Sequence, residues 1–133
     1  MGTSGSPDPT VFMLNAGPAA IWTNMPVAAT EFFGNAQRRI IADCALSREV
    51  RLRWRQIVAG VAGSVVRVQY ATDDSNFVTI GGDVSLVGTG WKDTGWMALP
   101  SGAKVDNCTF MVQGQAGNAA IDPSFASIAL WLR

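Results

Sequence analysis

Residues 49–80 read EVRLRWRQIVAGVAGSVVRVQYATDDSNFVTI, and the alternation within them decides the fold class. Two alternating runs, 50–58 and 65–71, flank the small residues 59–64. Successive side chains of an extended strand point to opposite faces, so apolar residues at every second position mark a half-buried strand. In the first run Val50, Leu52 and Trp54 share one face, and Arg51, Arg53 and Arg55 the other. In the second, Val66, Val68 and Tyr70 oppose Arg67 and Gln69. The pattern predicts a hairpin with one core face and one arginine-lined face to which all four arginines contribute. Asp73-Asp74-Ser75-Asn76 then signals a turn into a third strand at 77–80.

Outward from this centre the chain keeps the same grammar. Gly81-Gly82 is expected to break the third strand before 84–87 resume it, and residues 88–95 (GTGWKDTG) read as a glycine-rich loop carrying Trp91. Residues 96–99 form a short strand ended by Pro100. Residues 106–113 alternate with Cys108, Phe110 and Val112 inward and Thr109, Met111 and Gln113 outward. In 125–132, Ile128, Leu130 and Leu132 take one face and Phe125, Ala129 and Trp131 the other, so both faces are apolar and the strand is central or lies at an interface. Upstream, 38–43 read as a strand with Ile40 and Ala42 opposite Arg39 and Ile41. Residues 1–10, small, polar and holding Pro7 and Pro9, read as a flexible arm before a domain at 11–133. No stretch sustains a period of 3.6. Eight to ten short strands with frequent Gly and Pro turns predict an all-β, single jelly-roll-like antiparallel sandwich.

Composition narrows the function. Hydrophobic residues make up 48% of the 133 and charged residues 15%, against about a quarter charged in an ordinary soluble domain. Such sparse charge points to surface covered by partners, or to a thick sandwich core. The formal net charge of zero argues against a general nucleic-acid binder. Charge is nonetheless uneven: residues 38–67 hold seven Arg against Asp43 and Glu49, a net +5, while 68–133 are net −3. Ordinary solvated faces would give this pattern, and so would complementarity between copies of the chain. No apolar run is long enough for a spanning helix, and the N-terminus lacks the regions of a signal peptide, so no membrane role is expected. Cys44 and Cys108 are expected as two buried free thiols, with a single disulfide the alternative.

No histidine occurs anywhere, which removes histidine-based triads, general bases and metal ligands. The loop 88–95 lacks the Gly-Lys-Ser/Thr order of a phosphate loop, and Asp73 and Asp74 read as turn residues rather than an acid–base pair. An enzyme is therefore not expected, nor a cofactor or metal. The candidates that remain are interface or ligand residues: Trp91, Trp96 and Trp131, with Arg51, Arg53, Arg55 and Arg67. Exposed tryptophans anchor protein interfaces or stack on sugar rings, and folding back over the core is their bland alternative. Arginines on an outer sheet face carry either solvent or a partner's acids, and like charges so close call for carboxylates nearby.

Residues 68–80 (VQYATDDSNFVTI) resemble a signature of discoidin-type, galactose-binding-like jelly rolls, with Ala71 for the usual serine and Phe77 for the usual tryptophan. Residues 125–133 (FASIALWLR) look like the closing strand of such domains. The overall layout is similar in style to small β-sandwich proteins of tailed-phage virions, through its arm, initiator Met, low charge, lack of histidine and an end inside the last strand. The second resemblance implies a non-enzymatic structural subunit, a capsid decoration or tail protein, whose partners are its own copies and other virion proteins. The first implies the alternative, a carbohydrate-binding module presenting Trp91, Trp96 and Asp73 to a surface glycan.

Overall fold

The longest strand forms where alternation is strictest. In the computed structural model, which describes residues 12–13, 22–25, 28–29, 39–73, 75–117 and 123–133, strand β5 (Glu49–Val58) buries Val50, Leu52, Trp54 and Gln56 and turns Arg51, Arg53, Arg55 and Ile57 outward. The remaining strands are β1 (Phe12–Met13), β2 (Thr23–Asn24), β3 (Ala28–Ala29), β4 (Ile40–Ala42), β6 (Val65–Ala71), β7 (Val78–Ser85), β8 (Gly90–Asp93), β9 (Met97–Ala98), β10 (Cys108–Gln115) and β11 (Ser124–Leu132). One 3-10 turn, Ser101–Ala103, is the only helical element among the described residues. The arm read at residues 1–10 lies outside them.

Two sheets pack face to face. The first runs β1-β11-β5-β8, with β3 also on β11 and β9 also on β5. The second runs β2-β10-β6-β7, with β4 also on β10. Every pairing is antiparallel except β3 with β11. The all-β jelly-roll-like sandwich expected from the sequence is the observed fold. Its core joins Val50, Leu52 and Trp54 of β5 to Val66 and Val68 of β6, Phe110 and Val112 of β10, and Phe125, Ile128 and Leu130 of β11. Removing such side chains from water contributes roughly 1.5–3 kcal/mol each.

The predicted hairpin of β5 with β6 does not exist. β5 pairs with β11, β8 and β9, whereas β6 pairs with β10 and β7. The segment 59–64 is an arch that carries the chain from one sheet to the other. Leu86 braces it on both sides, accepting from the Gly60 amide at 2.9 Å and donating to the Ser64 carbonyl at 2.9 Å. Alternation requires only that each strand's apolar face meet the core, and facing strands of two sheets satisfy that as well as neighbours in one. Arg67 consequently lies on the outside of the second sheet, away from Arg51, Arg53 and Arg55.

Other local departures have equally local causes. Phe125 faces the core together with Ile128, because the β11–β5 register shifts between Ala126 and Ala129 and Ser127 adopts a φ of 54°. A bulge of this kind inverts the alternation on one side of itself. Gly81-Gly82 does not end a strand. β7 runs through it as a bulge opposite the stretch Val66–Val68, with Gly81 at a φ of 65° that L-residues rarely adopt. Residues 90–93 are strand β8 rather than loop, since β5 needs a neighbour for its backbone groups there. The inward faces read for β4 and β10 hold: Ile40 and Ala42 pack on the core while Ile41 is exposed, and Cys108, Phe110 and Val112 point inward, but Thr109 and Met111, expected on the outward face of β10, are buried as well. Cys44 and Cys108 are buried free thiols, and burial, reinforced by Cys108, pushes the Cys44 thiol up to about 12.

The β6–β7 connection is the acidic turn expected. Asp73 accepts from the backbone amides of Asn76 at 2.8 Å and Ser75 at 3.0 Å, and from the Asn76 side chain. These bonds, the Asn76 amide first, hold its carboxyl at about 2 against an ordinary 3.8. A depressed folded-state value means the carboxylate favours the fold above pH 3.8, and that contribution disappears as pH falls through about 2. The Asp73 carboxyl carbon, followed by NMR against pH, is expected to titrate near 2. A midpoint near 4 would show that the turn does not hold.

Candidate functional site

The outer face of the first sheet collects the aromatic and guanidinium groups. Antiparallel register sets Arg55 beside Trp91 and Arg53 beside Asp93 on β8, and Arg51 beside Trp131 and Arg53 beside Ala129 on β11. Side chains then reach diagonally, as long ones do across a twisted sheet. The Arg51 Nε donates to both carboxylate oxygens of Asp93, at 2.9 and 2.8 Å, and its Nη2 closes a second contact with the same group. The pair raises Arg51 and lowers Asp93 from their ordinary values, each chiefly through this hydrogen bond. Asp93 also accepts from the Gly95 amide at 2.7 Å. The carboxylate that the arginine row called for is thus supplied from within the chain, for Arg51.

Around that pair the planar groups stack. The Arg51 guanidinium lies 5.8 Å from the Trp96 ring centre and 5.9 Å from that of Trp131. Arg133 covers Trp96 at 4.2 Å and bonds Glu49 through Nε at 2.8 Å. Trp96 and Trp131 are half-buried, and the Trp131 Nε1–H is buried with no hydrogen-bond partner among the described residues. This part of the face is internally satisfied apart from that one donor. Arginine stacked on indole contributes about 0.5–1 kcal/mol per pair at exposed sites.

The rest of the face is open. Trp91 stands on the end strand of the sheet, 55% exposed, with Arg53 over its ring at 4.5 Å. Arg55 is exposed, and its side chain makes no hydrogen bond, ion pair or ring contact among the described residues. Ile57, 38% exposed, continues the same row. Lys92, next to Trp91, turns away and donates to the Val87 carbonyl at 2.8 Å. The open surface is therefore Arg53, Arg55, Ile57 and Trp91.

Of the seven residues singled out from the sequence, six share this face, and Arg67 does not. Arg67 donates to Gln113 Oε1 at 3.0 and 2.6 Å and lies 3.8 Å from the Trp22 ring on the second sheet. Trp91 belongs to a strand and not to a loop tip, and Trp96 follows that strand as part of the stack. Asp73 stands on the β6–β7 turn of the other sheet. Sequence reasoning missed Asp93 and Ile57. Ile57 was accessible to it as the next outward position after Arg55, whereas Asp93 required the β5–β8 pairing. No protein-family model and no curated protein matches the chain.

Proposed function

We propose that the protein is a non-enzymatic assembly subunit that docks on other proteins through the open end of its arginine and tryptophan face. The carrying observation is the exposed Trp91 beside Arg55, a guanidinium with no ionic partner, in a chain so sparing of charge. Tryptophan and arginine are the residues most enriched where binding energy concentrates. We place that assembly in a phage virion, as a capsid decoration or tail protein, on the strength of the resemblance in layout. The discoidin-like signature lies on the β6–β7 hairpin and bears on scaffold geometry alone. The glycan-binding alternative also draws on Trp91, but its other two groups are occupied: Trp96 by guanidiniums, Asp73 by its own turn.

Binding of purified protein to native particles, measured by co-sedimentation, tests the reading. Trp91→Ala is expected to weaken binding about 30-fold or more, equivalent to roughly 2 kcal/mol. Replacing Arg53 and Arg55 with Gln is expected to weaken it in a manner that fades at high salt. Neither change should unfold the domain, because both groups face outward. Unaltered binding by Trp91→Ala refutes the reading. Loss of retention on immobilised glycans, with particle binding intact, favours the carbohydrate alternative.

A further inference from the structure

The two sheets treat their end strands differently. β7, last in the second sheet, is interrupted by the bulge that includes Gly81-Gly82, a device that twists an edge away from passing strands. β8, last in the first sheet beyond β5, pairs in unbroken register and holds no proline. Its one lysine, Lys92, does not guard the edge, because Nζ is drawn back to the Val87 carbonyl at 2.8 Å. Gly90, Trp91 and Asp93 are all exposed.

Register fixes where the backbone groups of β8 point. The Thr94 amide donates to the Leu52 carbonyl at 2.9 Å, so position 94 faces β5. Opposed residues of an antiparallel pair alternate between bonded and non-bonded. With Lys92 opposite Trp54 and Gly90 opposite Gln56, positions 92 and 90 face β5 as well. The amides and carbonyls of Trp91 and Asp93 therefore point away from the sheet, and they have no hydrogen-bond partner among the described residues. A row of free backbone groups on an end strand is a template for one more strand.

The outer face of this edge is positive. Arg53 holds its guanidinium over the Trp91 ring at 4.5 Å, and so sits above β8 itself, while Arg55 stands beside Trp91 in the register. The nearest carboxylate in that register, Asp93, is already bound by Arg51. A second copy paired edge to edge about a twofold axis would bring two arginine rows onto one face, where like charges repel. The occupant that fits is a strand with carboxylates on that face.

We infer that β8 accepts an extended, acidic segment of another protein as an added strand, its backbone bonding Trp91 and Asp93 and a carboxylate beside Trp91 pairing with Arg53 and Arg55. This docking rests on the assembly reading and specifies how the partner is held.

The probe is a blocked hexapeptide of alternating valine and glutamate, titrated into the full chain and followed by amide NMR. Hydrogen exchange at Trp91 and Asp93 is expected to slow about tenfold or more at saturation, while Lys92, which already faces β5, changes little. Of two versions methylated on the glutamate or on the valine nitrogens, one should bind about tenfold more weakly or worse, since only one set of amides faces β8. Lysine in place of the peptide's glutamates, or Arg55→Glu in the protein, should each weaken binding by about tenfold or more. Undiminished binding by both methylated peptides, or by the lysine peptide, overturns the inference. So does a glutamate peptide that fails to bind at millimolar concentration. Protection of Trp91 and Asp93 that grows with the chain's own concentration would name a second copy instead and overturn it too. Particle binding that is lost in Trp91→Ala, with no peptide taken up on β8, would leave the assembly reading standing and remove this one.

Discussion

Trp54→Ala is expected to lower the unfolding free energy by about 3–5 kcal/mol, the range for deleting a large aromatic from a packed core. Trp54 is 1% exposed in the middle of β5, with β11 on one side and β8 on the other. Its loss removes more than area. The indole N–H donates to Gln56 Oε1 at 2.8 Å, and Gln56 Nε2 donates in turn to the carbonyls of Val58 at 2.7 Å and Ser124 at 3.3 Å. Gln56 is itself 2% exposed, so truncating the indole strands a buried carbonyl oxygen as well as leaving a void. Trp54→Phe separates the two effects: it keeps most of the apolar volume and loses the donor, for an expected cost of about 1–3 kcal/mol. Urea unfolding measures both through the midpoint at constant slope. A domain of this size is stable by only about 5–15 kcal/mol, so the alanine variant should be near the edge of folding. A loss under about 1 kcal/mol would show that the indole is not the centre of this sandwich.

Gln56 also marks the boundary of what alternation reveals. It occupies an inward position by parity, yet a glutamine there reads as the end of the buried run until its partners are known. Parity located the faces of β4, β5, β6 and β10 because each is a local property of one strand. It was silent on pairing, which depends on contacts far apart in the chain, and so it permitted the false β5–β6 hairpin. That single error misplaced Arg67, because a strand assigned to the wrong sheet carries its outer residues to the wrong side of the molecule. Bulges hid the rest: Phe125 changed face through one residue at Ser127 whose backbone no periodicity announces. The face with Arg51, Arg53, Arg55, Trp91, Trp96 and Trp131 was legible as residue types. That Arg51 is neutralised by Asp93 while Arg55 is not follows only from the β5–β8 register.

Gly117→Ala is expected to destabilise the fold by about 1–3 kcal/mol, the usual cost of forcing atoms into a filled space. Glycine at 117 is required by a close approach and not by an unusual backbone angle. A Cβ built there would lie 2.6 Å from the Ala62 carbonyl oxygen, 2.8 Å from the Gly63 carbonyl carbon and 2.8 Å from the Ser64 nitrogen. All three are backbone atoms of the arch between β5 and β6, so no side chain can rotate to make room. The same approach lets the Gly117 amide donate to Ser64 Oγ at 2.8 Å, tying the segment after β10 to the arch. Ser64 is 1% exposed and its carbonyl accepts from Leu86, so a shift of the arch would disturb both sheets at once. Gly82→Ala is the control: nothing lies within 4 Å of its Cβ position, and the change should be near neutral. Thermal and urea unfolding of the two variants side by side decide the matter. Equal behaviour would mean that the arch is not seated against Gly117, and that the crossing from one sheet to the other is held elsewhere.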